Sequence, residues 1–386
     1  MAQIIRHGIV YEGKGLRDYY GWPSVAVMPD GRVIAVASGQ RMAHICPWGR
    51  TVAWESRDDG RTWGPEVILG DSPIDDRDAG VTVLPDGQVL VSWFTSDTRI
   101  YTDALKNLPD PRNDLSLTVI RGWNDAVVGR HLGSFVRRGA WGGPWGEPID
   151  TGVTAPHGPI VLEDGALLYL GKAFSVADVD IPVHGVGQTR PDRLDPKSLA
   201  TPILCARSDD NGDTWRTIGR VDRTGVFDNS NLHEPHVVQL PGGRLVGVIR
   251  TQNSPQRTLN IPFGMAITYS DDGGVTWSEL REMPYFGSPP QLLLHSSGVL
   301  VCSYGYRHLA DPTCGPEAHG GQRAILSYDG GLTWGEPVIL RDDGPDDDLG
   351  YPCSCELPGG EILTVYYQKQ RSAMESCSVL YTIWKL

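Results

Sequence analysis

The sequence contains no run of about 18 apolar residues, the length that an α-helix needs to span a bilayer. Its opening segment, MAQIIRHGIV, also lacks the basic and then apolar regions of a secretory signal peptide. These absences predict no association with a membrane and, by default, a cytoplasmic location.

Cysteine and positive charge are also scarce. The 7 cysteines are odd in number and include no Cys-x-x-Cys pair, so they predict reduced thiols in a core rather than a disulfide framework. The 34 basic residues are outnumbered by 47 acidic ones, which gives a net charge of −13. This balance argues against nucleic acid or an anionic membrane surface as a partner.

Glycine and proline, by contrast, are abundant, with 47 and 29 residues, as is typical of turn-rich β proteins. The motif Ser-x-Asp-x-Gly-x-Thr-Trp occurs four times, at residues 56–63, 208–215, 270–277 and 327–334. Its Ser and Asp side chains can accept hydrogen bonds from backbone amides, its glycine allows a positive φ, and its tryptophan covers apolar surface. Each copy predicts a tight turn between two strands, here named a Ser/Asp turn.

A second repeat runs in phase with the first and consists of a glycine turn followed by a β-rich run. It occurs six times, 55 to 78 residues apart, with its glycines at Gly31, Gly87, Gly165, Gly243, Gly298 and Gly360. Each interval has room for four short strands, and a ring of four-stranded sheets is a β-propeller. We therefore predict an all-β, six-bladed β-propeller that uses residues 1–386 as a single domain.

Two blades depart from the repeat. Blade 2 has only a degenerate Ser/Asp turn at residues 134–145, and blade 6 has no such motif in the 26 residues after Gly360. The N-terminal run at residues 3–10 is expected to supply the missing strand and close the ring, which removes an open sheet edge. Inserts at residues 101–115 and 174–201 leave blades 2 and 3 and are expected to wall the pocket.

The phase of the repeats places both kinds of turn on one face of the ring, here named the turn face. On the opposite face, named the cavity face, loops converge around the axis and favour a pocket. Counting back nine residues from each turn glycine gives the tops of the innermost strands: Trp22, Asp78, Pro156, Glu234, Pro289 and Tyr351. His157 follows Pro156, and Lys172 and Arg250 stand at the upper ends of the second strands of their blades. Arg323 stands four residues before a Ser/Asp turn, a position that is apolar in the other copies. A purely structural ring would repeat one residue type, so this variety indicates a functional site.

The four Ser/Asp turns resemble the Asp boxes, or BNR repeats, of the sialidase (neuraminidase) superfamily, whose fold is a six-bladed propeller. The segment from Glu234 to Arg250 is similar to the sialidase segment that carries a catalytic glutamate and the second carboxylate-binding arginine. Tyr351, after Gly350, resembles the nucleophilic tyrosine of the last blade, and Arg323 falls near the expected third arginine. The resemblance covers nearly the whole chain and implies a hydrolase that removes a terminal acidic sugar from a glycan or oligosaccharide.

Two positions differ from the sialidase pattern. Gly21 stands where sialidases carry the first of three arginines that bind the substrate carboxylate. The loop at residues 41–48 also offers no carboxylate where sialidases place their acid/base aspartate.

The resemblance implies a retaining mechanism in which Tyr351 attacks the anomeric carbon and Glu234 takes the phenolic proton. The general acid is expected to be Asp78 or, on the blade 1 loop, His44. The expected substrate contacts are Arg250, Arg323, Arg77, Lys172, His157, His44 and Trp22. No cofactor is expected. A metal site formed by His233, Glu234 and His236 is not expected either, because strand alternation would place His233 on the opposite face from the other two.

Other interpretations stay open at this point. Tyr351 could cap a strand, and Glu234 could form a structural ion pair with Arg250. Besides a hydrolase, the residues fit a lyase acting on uronate-containing glycans or a propeller that only binds carbohydrate. The sequence names neither the sugar nor an oligomeric state.

Overall fold

The structure is a computed structural model that describes residues 2–107, 110–174, 201–222, 224–225, 227, 229–252, 263–308, 311, 314–315 and 318–386. Within these ranges, 25 strands form six antiparallel sheets. Five of the sheets follow one another along the chain as blades 1 to 5, and the sixth joins the two ends of the chain. The predicted six-bladed β-propeller is therefore confirmed.

The strands of the first three blades follow chain order. Strand β1 (Gln3–Tyr11) precedes blade 1, which comprises β2 (Tyr19–Val27), β3 (Val33–Arg41), β4 (Arg50–Ser56) and β5 (Val67–Gly70). Blade 2 comprises β6 (Asp75–Val83), β7 (Val89–Ser96), β8 (Ser134–Gly139) and β9 (Ile149–Asp150). Blade 3 comprises β10 (Val153–Thr154), β11 (Ile160–Val161), β12 (Leu167–Ala173), β13 (Ile203–Ser208) and β14 (Arg216–Arg220).

The remaining blades complete the ring. Blade 4 comprises β15 (Leu232–Gln239), β16 (Leu245–Gln252), β17 (Phe263–Ser270) and β18 (Arg281–Met283). Blade 5 comprises β19 (Pro290–Leu294), β20 (Leu300–Tyr306), β21 (Gly320–Ser327) and β22 (Val338–Gly344). Blade 6 comprises β23 (Gly350–Glu356), β24 (Ile362–Gln368) and β25 (Ser378–Lys385), and β1 pairs antiparallel with β25. Closure of the ring by the N-terminal strand is therefore confirmed.

The core of the ring lies between neighbouring blades. Blade 1 packs Val33 and Trp54 against Leu363 and Ile383 of blade 6, and comparable buried apolar clusters join each of the other five pairs of adjacent blades. Middle strands are consequently buried on both faces, as β3 is, which explains their continuous runs of β-branched and small apolar residues.

The Ser/Asp turns form the hydrogen bonds expected from their sequence. In the first copy, the Ser56 hydroxyl accepts from the amide of Gly60 at 2.9 Å, and Asp58 accepts from the amide of Thr62 at 2.8 Å. The glycines of both turn types have positive φ, for example 78° at Gly60 and 80° at Gly87. The turns connect the strands of each blade at the ends that lie away from the cavity.

The insert of blade 2 is longer than expected and helical. After a 3₁₀ turn (Thr98–Tyr101), it forms α1 (Thr102–Asn107), α2 (Arg112–Arg121) and α3 (Asp125–His131). Leu105, Leu117 and Ile120 pack together as a small core of their own. The expected insert of blade 3, at residues 174–201, lies almost entirely outside the described residues.

All seven cysteines lie within the described ranges and are free, six of them buried. Reduced core thiols were the expectation for all seven positions; Cys314 departs from it, because it is only partly buried. None of the helices in the described parts of the chain is long and apolar enough to cross a bilayer.

Candidate active site

A cavity of about 370 Å³ opens on the cavity face, and among the described residues its lining comes from blades 1, 2, 4, 5 and 6. Apart from one glutamine, its lining consists of charged, histidine and aromatic side chains: Trp22, His44, Arg77, Tyr101, His233, Glu234, Arg250, Gln252, Phe263, Arg307, Asp347, Asp348, Tyr351 and Tyr367. Tyr101, which ends the 3₁₀ turn, shows that the blade 2 insert contributes to the wall, as expected.

A second cavity, of about 450 Å³, lies beside the first Ser/Asp turn, between Trp63 and Trp141. Its charged side chains, Glu55 and Arg57, form an ion pair with each other. It brings together no nucleophile and base, so the cavity on the ring axis is the candidate active site.

The floor of the axial cavity contains a hydrogen-bonded group of three residues. The Tyr351 hydroxyl donates to Glu234 Oε1 at 2.6 Å, and Arg250 Nη1 donates to the Tyr351 oxygen at 3.2 Å. The same Arg250 nitrogen forms a short ion pair with Glu234 Oε2, while Arg250 Nη2 donates to Gln252 Oε1 at 2.7 Å. A tyrosine is thus held against a carboxylate that can take its proton.

The electrostatics of this group fix its resting protonation. Burial would raise the pKa of Glu234, but the charge of Arg250 and the hydrogen bond from Tyr351 outweigh burial and hold that pKa below its ordinary value. Burial, followed by the negative charge of Glu234, raises the pKa of Tyr351 well above its ordinary value. The resting state is therefore a neutral phenol that donates to an ionised carboxylate.

The innermost strands enter the cavity through residues with left-handed backbone. Five non-glycine residues at or next to the expected strand tops have positive φ: Trp22 (53°), Asp78 (52°), His157 (73°), Glu234 (39°) and Tyr351 (52°). In four blades the strand pairing is interrupted at this point by a bulge or irregularity. Such strained backbone persists only where the surroundings impose it, and it is common at functional sites.

The irregularity in β15 corrects one expectation. Pairing breaks between His233 and Pro235, so strand alternation does not hold there, and both His233 and Glu234 line the cavity. His233 Nδ1 lies 3.3 Å from Lys172 Nζ, and burial followed by the charges of Lys172 and Arg250 lowers the pKa of His233 to about 3. His236 instead accepts from the amide of Leu292 at 3.1 Å. Among the described residues, no group of three or more His, Cys, Asp and Glu side chains is arranged to hold a metal ion.

Arg77 reaches the cavity from blade 2. Its guanidinium carbon lies 4.1 Å from the centre of the Trp22 ring, and its Nη1 donates to Asp75 Oδ2 and to the His44 carbonyl, both at 3.2 Å. A Cβ added at Gly21 would lie 3.2 Å from the Tyr19 ring, so Tyr19 crowds the position at which sialidases carry their first arginine.

Arg307 was missed by the sequence analysis. It lines the cavity, where its Nη1 donates to the Ser288 carbonyl at 2.6 Å and its Nη2 to the Leu349 carbonyl at 2.9 Å. The repeat places Gly305 at the upper end of the second strand of blade 5, and Arg307 follows it by two residues. A basic residue this close to the strand end could therefore have been recognised from the sequence.

Arg323, which was expected near this place, does not line the cavity. Its Nη1 donates to the carbonyls of Gln322 and Arg341, at 3.2 and 2.6 Å, and its guanidinium lies over the Tyr306 ring at 4.7 Å. Strand β21 is the third strand of its blade, so it lies away from the axis, and Arg323 packs within the blade.

Three other predicted residues lie beneath or beside the main cavity. Asp78 and Lys172 line a smaller adjoining space of about 50 Å³ together with Glu234. Lys172 Nζ donates to the carbonyls of Asn229 and Leu232, at 3.0 and 2.8 Å. His157 is buried on the axis, with Nδ1 3.0 Å from the Ser24 hydroxyl, and burial lowers its pKa well below the ordinary value.

His44 forms a second polar group in the main cavity. Its Nδ1 lies 2.9 Å from Asp348 Oδ1, and the Tyr19 hydroxyl donates to the same oxygen at 2.9 Å. Burial would raise the pKa of Asp348, but the charge and hydrogen bond of His44 and the hydrogen bond of Tyr19 hold it well below the ordinary value. Asp347 and Asp348 were also missed by the sequence analysis, because they lie in a loop outside both repeats.

No family model matches the sequence, and the search of curated proteins finds no match. Among solved structures, a protein of unknown function from Dyadobacter fermentans superposes with a TM-score of 0.71 at 21% identity, over 100% of this chain and 99% of that one. The NanB sialidase of Streptococcus pneumoniae (K499G mutant) gives 0.65 at 12% identity, over 98% and 70%. An intramolecular trans-sialidase from Ruminococcus gnavus gives 0.60 at 14% identity, over 98% and 97%. The chain therefore has the fold of the sialidase-like six-bladed propellers.

Proposed function

We propose that this protein is a retaining exo-glycosidase that removes a terminal acidic sugar from a glycan, with Tyr351 as nucleophile and Glu234 as its base. The observation that carries the proposal is the 2.6 Å hydrogen bond from the Tyr351 hydroxyl to Glu234. This contact joins blades 4 and 6 in the middle of a cavity large enough for a sugar ring.

The chemistry suits a substrate that is itself an anion. A carboxylate nucleophile would be repelled by a carboxylate on the sugar, whereas a neutral phenol is not. In the first step the Tyr351 oxygen bonds to the anomeric carbon, its proton passes to Glu234, and the bond to the leaving-group oxygen breaks as a general acid protonates that oxygen. Water then attacks the anomeric carbon and breaks the glycosyl–tyrosine bond, Glu234 returns its proton to Tyr351, and the proton that the water releases restores the general acid.

Three guanidinium groups support an acidic sugar as the ligand. Arg77, Arg250 and Arg307 all line the cavity, and each guanidinium has five N–H donors suited to a carboxylate. The hydrogen bonds of Arg307 to Ser288 and Leu349 use two of its five donors. Arg77 supplies the third guanidinium in a chain that has Gly21 at the position of the first sialidase arginine.

The structural neighbours point the same way. The Ruminococcus gnavus protein is a trans-sialidase solved with oseltamivir carboxylate, and the Streptococcus pneumoniae protein is a sialidase.

The proposed chemistry needs no cofactor, and we propose that the ring acts as one catalytic domain.

The test is a panel of aryl glycosides of acidic sugars, including sialic acids and uronates, assayed with the wild type and with Tyr351→Phe. The proposal predicts release of the aglycone from at least one acidic glycoside, formation of a saturated sugar, and loss of turnover in the variant. A product that absorbs in the ultraviolet as an unsaturated uronate would establish a lyase instead. Binding of acidic sugars with no turnover by the wild type would establish a carbohydrate-binding propeller.

A further inference from the structure

We propose that His44, held by Asp348, is the general acid that protonates the leaving group. This inference rests on the proposed glycosidase function and deepens it by assigning the proton donor. It replaces Asp78, the first expectation from sequence, with a histidine–aspartate pair on the other side of the cavity.

The hydrogen bonds around Asp348 determine which nitrogen of His44 exchanges the proton. Asp348 Oδ1 accepts from the Tyr19 hydroxyl and lies 2.9 Å from His44 Nδ1. An ionised carboxylate can only accept, so His44 Nδ1 must be the donor in this contact. The proton that the imidazolium can transfer is then the one on Nε2, and Asp348 both orients the ring and stabilises its charged form.

The position of His44 fits the departure of an aglycone. The His44 side chain is 49% exposed, whereas Tyr351 is only 5% exposed at the floor of the same cavity. The Trp22 ring contacts both, with centroid distances of 5.0 Å to His44 and 6.3 Å to Tyr351. In an exo-acting enzyme the sugar fills the floor, so the leaving group lies toward the exposed side, where His44 is.

Asp78 is less well placed for this step. It is buried, it lines the smaller adjoining space rather than the main cavity, and its charge contributes to the raised pKa of Tyr351. A proton donor there would face the floor of the site.

The groups that face His44 come from several elements. Tyr19 lies on β2, Asp348 precedes β23, and Arg77 of β6 donates to the His44 carbonyl at 3.2 Å. Arg41, at the end of β3, donates to the same carbonyl at 3.1 Å. Among these groups, the Asp348 carboxylate contacts the His44 ring directly, whereas the two arginines contact the His44 backbone carbonyl.

The step balances without any other reactant. As the bond between the anomeric carbon and the glycosidic oxygen breaks, the Nε2 proton passes to that oxygen, which leaves as an alcohol. The neutral Nε2 then takes a proton from the water that attacks the glycosyl–tyrosine intermediate, and the imidazolium is restored.

The leaving group provides the first test. We compare His44→Gln with the wild type on two glycosides of the same acidic sugar, a 4-nitrophenyl glycoside and an alkyl glycoside. Because an alkoxide needs protonation to depart and nitrophenolate does not, we expect kcat/KM on the alkyl glycoside to fall by about 10²- to 10⁴-fold. On the nitrophenyl glycoside we expect little change. His7→Gln, a histidine on the outermost strand of blade 6, is the matched control and is expected to behave as the wild type on both.

Asp348→Asn tests the pair. Removing the carboxylate destabilises the imidazolium, so the basic limb of the kcat/KM profile on the alkyl glycoside should move to lower pH. Two results would overturn the assignment of His44 as the general acid. One is an equal loss of kcat/KM on both glycosides in His44→Gln, and the other is a loss of kcat/KM on the alkyl glycoside alone in Asp78→Asn.

A measurement without substrate separates this inference from the proposed function. If the wild type cleaves no acidic glycoside, the proposed function fails, but the His44 geometry can still be tested by long-range ¹H–¹⁵N spectra of the histidine rings. The neutral His44 ring should carry its proton on Nδ1 in the wild type and lose this preference in Asp348→Asn. A neutral wild-type ring that carries its proton on Nε2 instead of Nδ1 would contradict the inference.

Discussion

Tyr351 donates its hydroxyl hydrogen to Glu234 across 2.6 Å, although the two residues are 117 positions apart in the chain. Each stands at the top of an innermost strand, Glu234 on β15 and Tyr351 on β23, and each has a left-handed backbone, with φ of 39° and 52°. Both therefore belong to the five strand-top residues with left-handed backbone, a strained conformation that is common at functional sites.

Replacing Glu234 with glutamine should separate base catalysis from packing. Glutamine keeps the side-chain shape and an acceptor for Tyr351 but cannot take its proton. We expect kcat to fall by about 10²- to 10⁴-fold with the fold intact. Steady-state kinetics and circular dichroism check this, with the exposed Glu147→Gln as the matched control. Near wild-type kcat in Glu234→Gln would exclude Glu234 as the base.

The two candidate arginines of blade 5 give opposite expectations. Arg307→Lys keeps the charge but loses the planar donor pair, so KM for an acidic glycoside should rise by about 10- to 100-fold, as expected for a charge-assisted hydrogen bond of roughly 1.5–3 kcal/mol. Arg323→Lys should leave KM unchanged, because Arg307 lines the cavity whereas Arg323 packs within its blade. The reverse result would restore the assignment made from sequence.

Gly350, which precedes Tyr351, has a φ of 121°, and a Cβ there would lie 3.4 Å from Arg307 Nη2. Gly350→Ala should therefore lower the free energy of unfolding by about 1–3 kcal/mol, the cost of a strained backbone. Gly359→Ala is the control, because a Cβ there meets nothing within 4 Å, and its effect should stay within about 0.5 kcal/mol. Urea denaturation measures both, and equal effects would show that Gly350 is not constrained.

The Ser/Asp turns should make the stability of the folded protein depend on pH in the acidic range. Hydrogen bonds from Thr276 and Thr333 lower the pKa of Asp272 and Asp329 to about 2. A lowered pKa in the folded state stabilises the protein at pH above the unfolded value, about 3.9, and this contribution is lost as the pH falls toward 2. The melting temperature should therefore fall between about pH 4 and pH 2, and fall less in the double variant Asp272→Asn, Asp329→Asn. Asp103→Asn, on an exposed helix turn, should keep the wild-type slope. A double variant with the wild-type slope would contradict the role of these hydrogen bonds.

Most of the ring could be predicted from the sequence because its repeats are local. A turn glycine and the strand that follows it are fixed by adjacent residues, so their phase located Glu234, Arg250 and Tyr351 at the cavity. The closing strand was predictable for the same reason, since blade 6 lacked one strand.

The rest depended on contacts that no local pattern records. Asp348 lies in an irregular loop, and its partner His44 is 304 residues away. Because of the bulge in β15, His233 lines the cavity, which the alternation of an ideal strand would not allow. Arg323 lies on the third strand of its blade, and its side chain packs inside the blade.

Tyr351→Phe should abolish turnover while binding of the acidic sugar persists. Phenylalanine keeps the ring that packs against Trp22 and Tyr367, and the ion pair of Arg250 and Glu234 does not depend on the hydroxyl. The turnover assay checks the loss of activity, and calorimetric titration with the free sugar checks that binding persists. Full activity in the variant would show that the hydroxyl takes no part in the reaction.

The most direct test of the central claim is to trap the glycosyl–enzyme intermediate. A fluorinated analogue of the acidic glycoside identified by the panel slows hydrolysis of the intermediate, and mass spectrometry of the digested protein locates the attached sugar. The result predicted is a glycosyl group on Tyr351 in the wild type and none in Tyr351→Phe. An adduct on a different residue, or a product of inverted configuration, would contradict Tyr351 as the nucleophile.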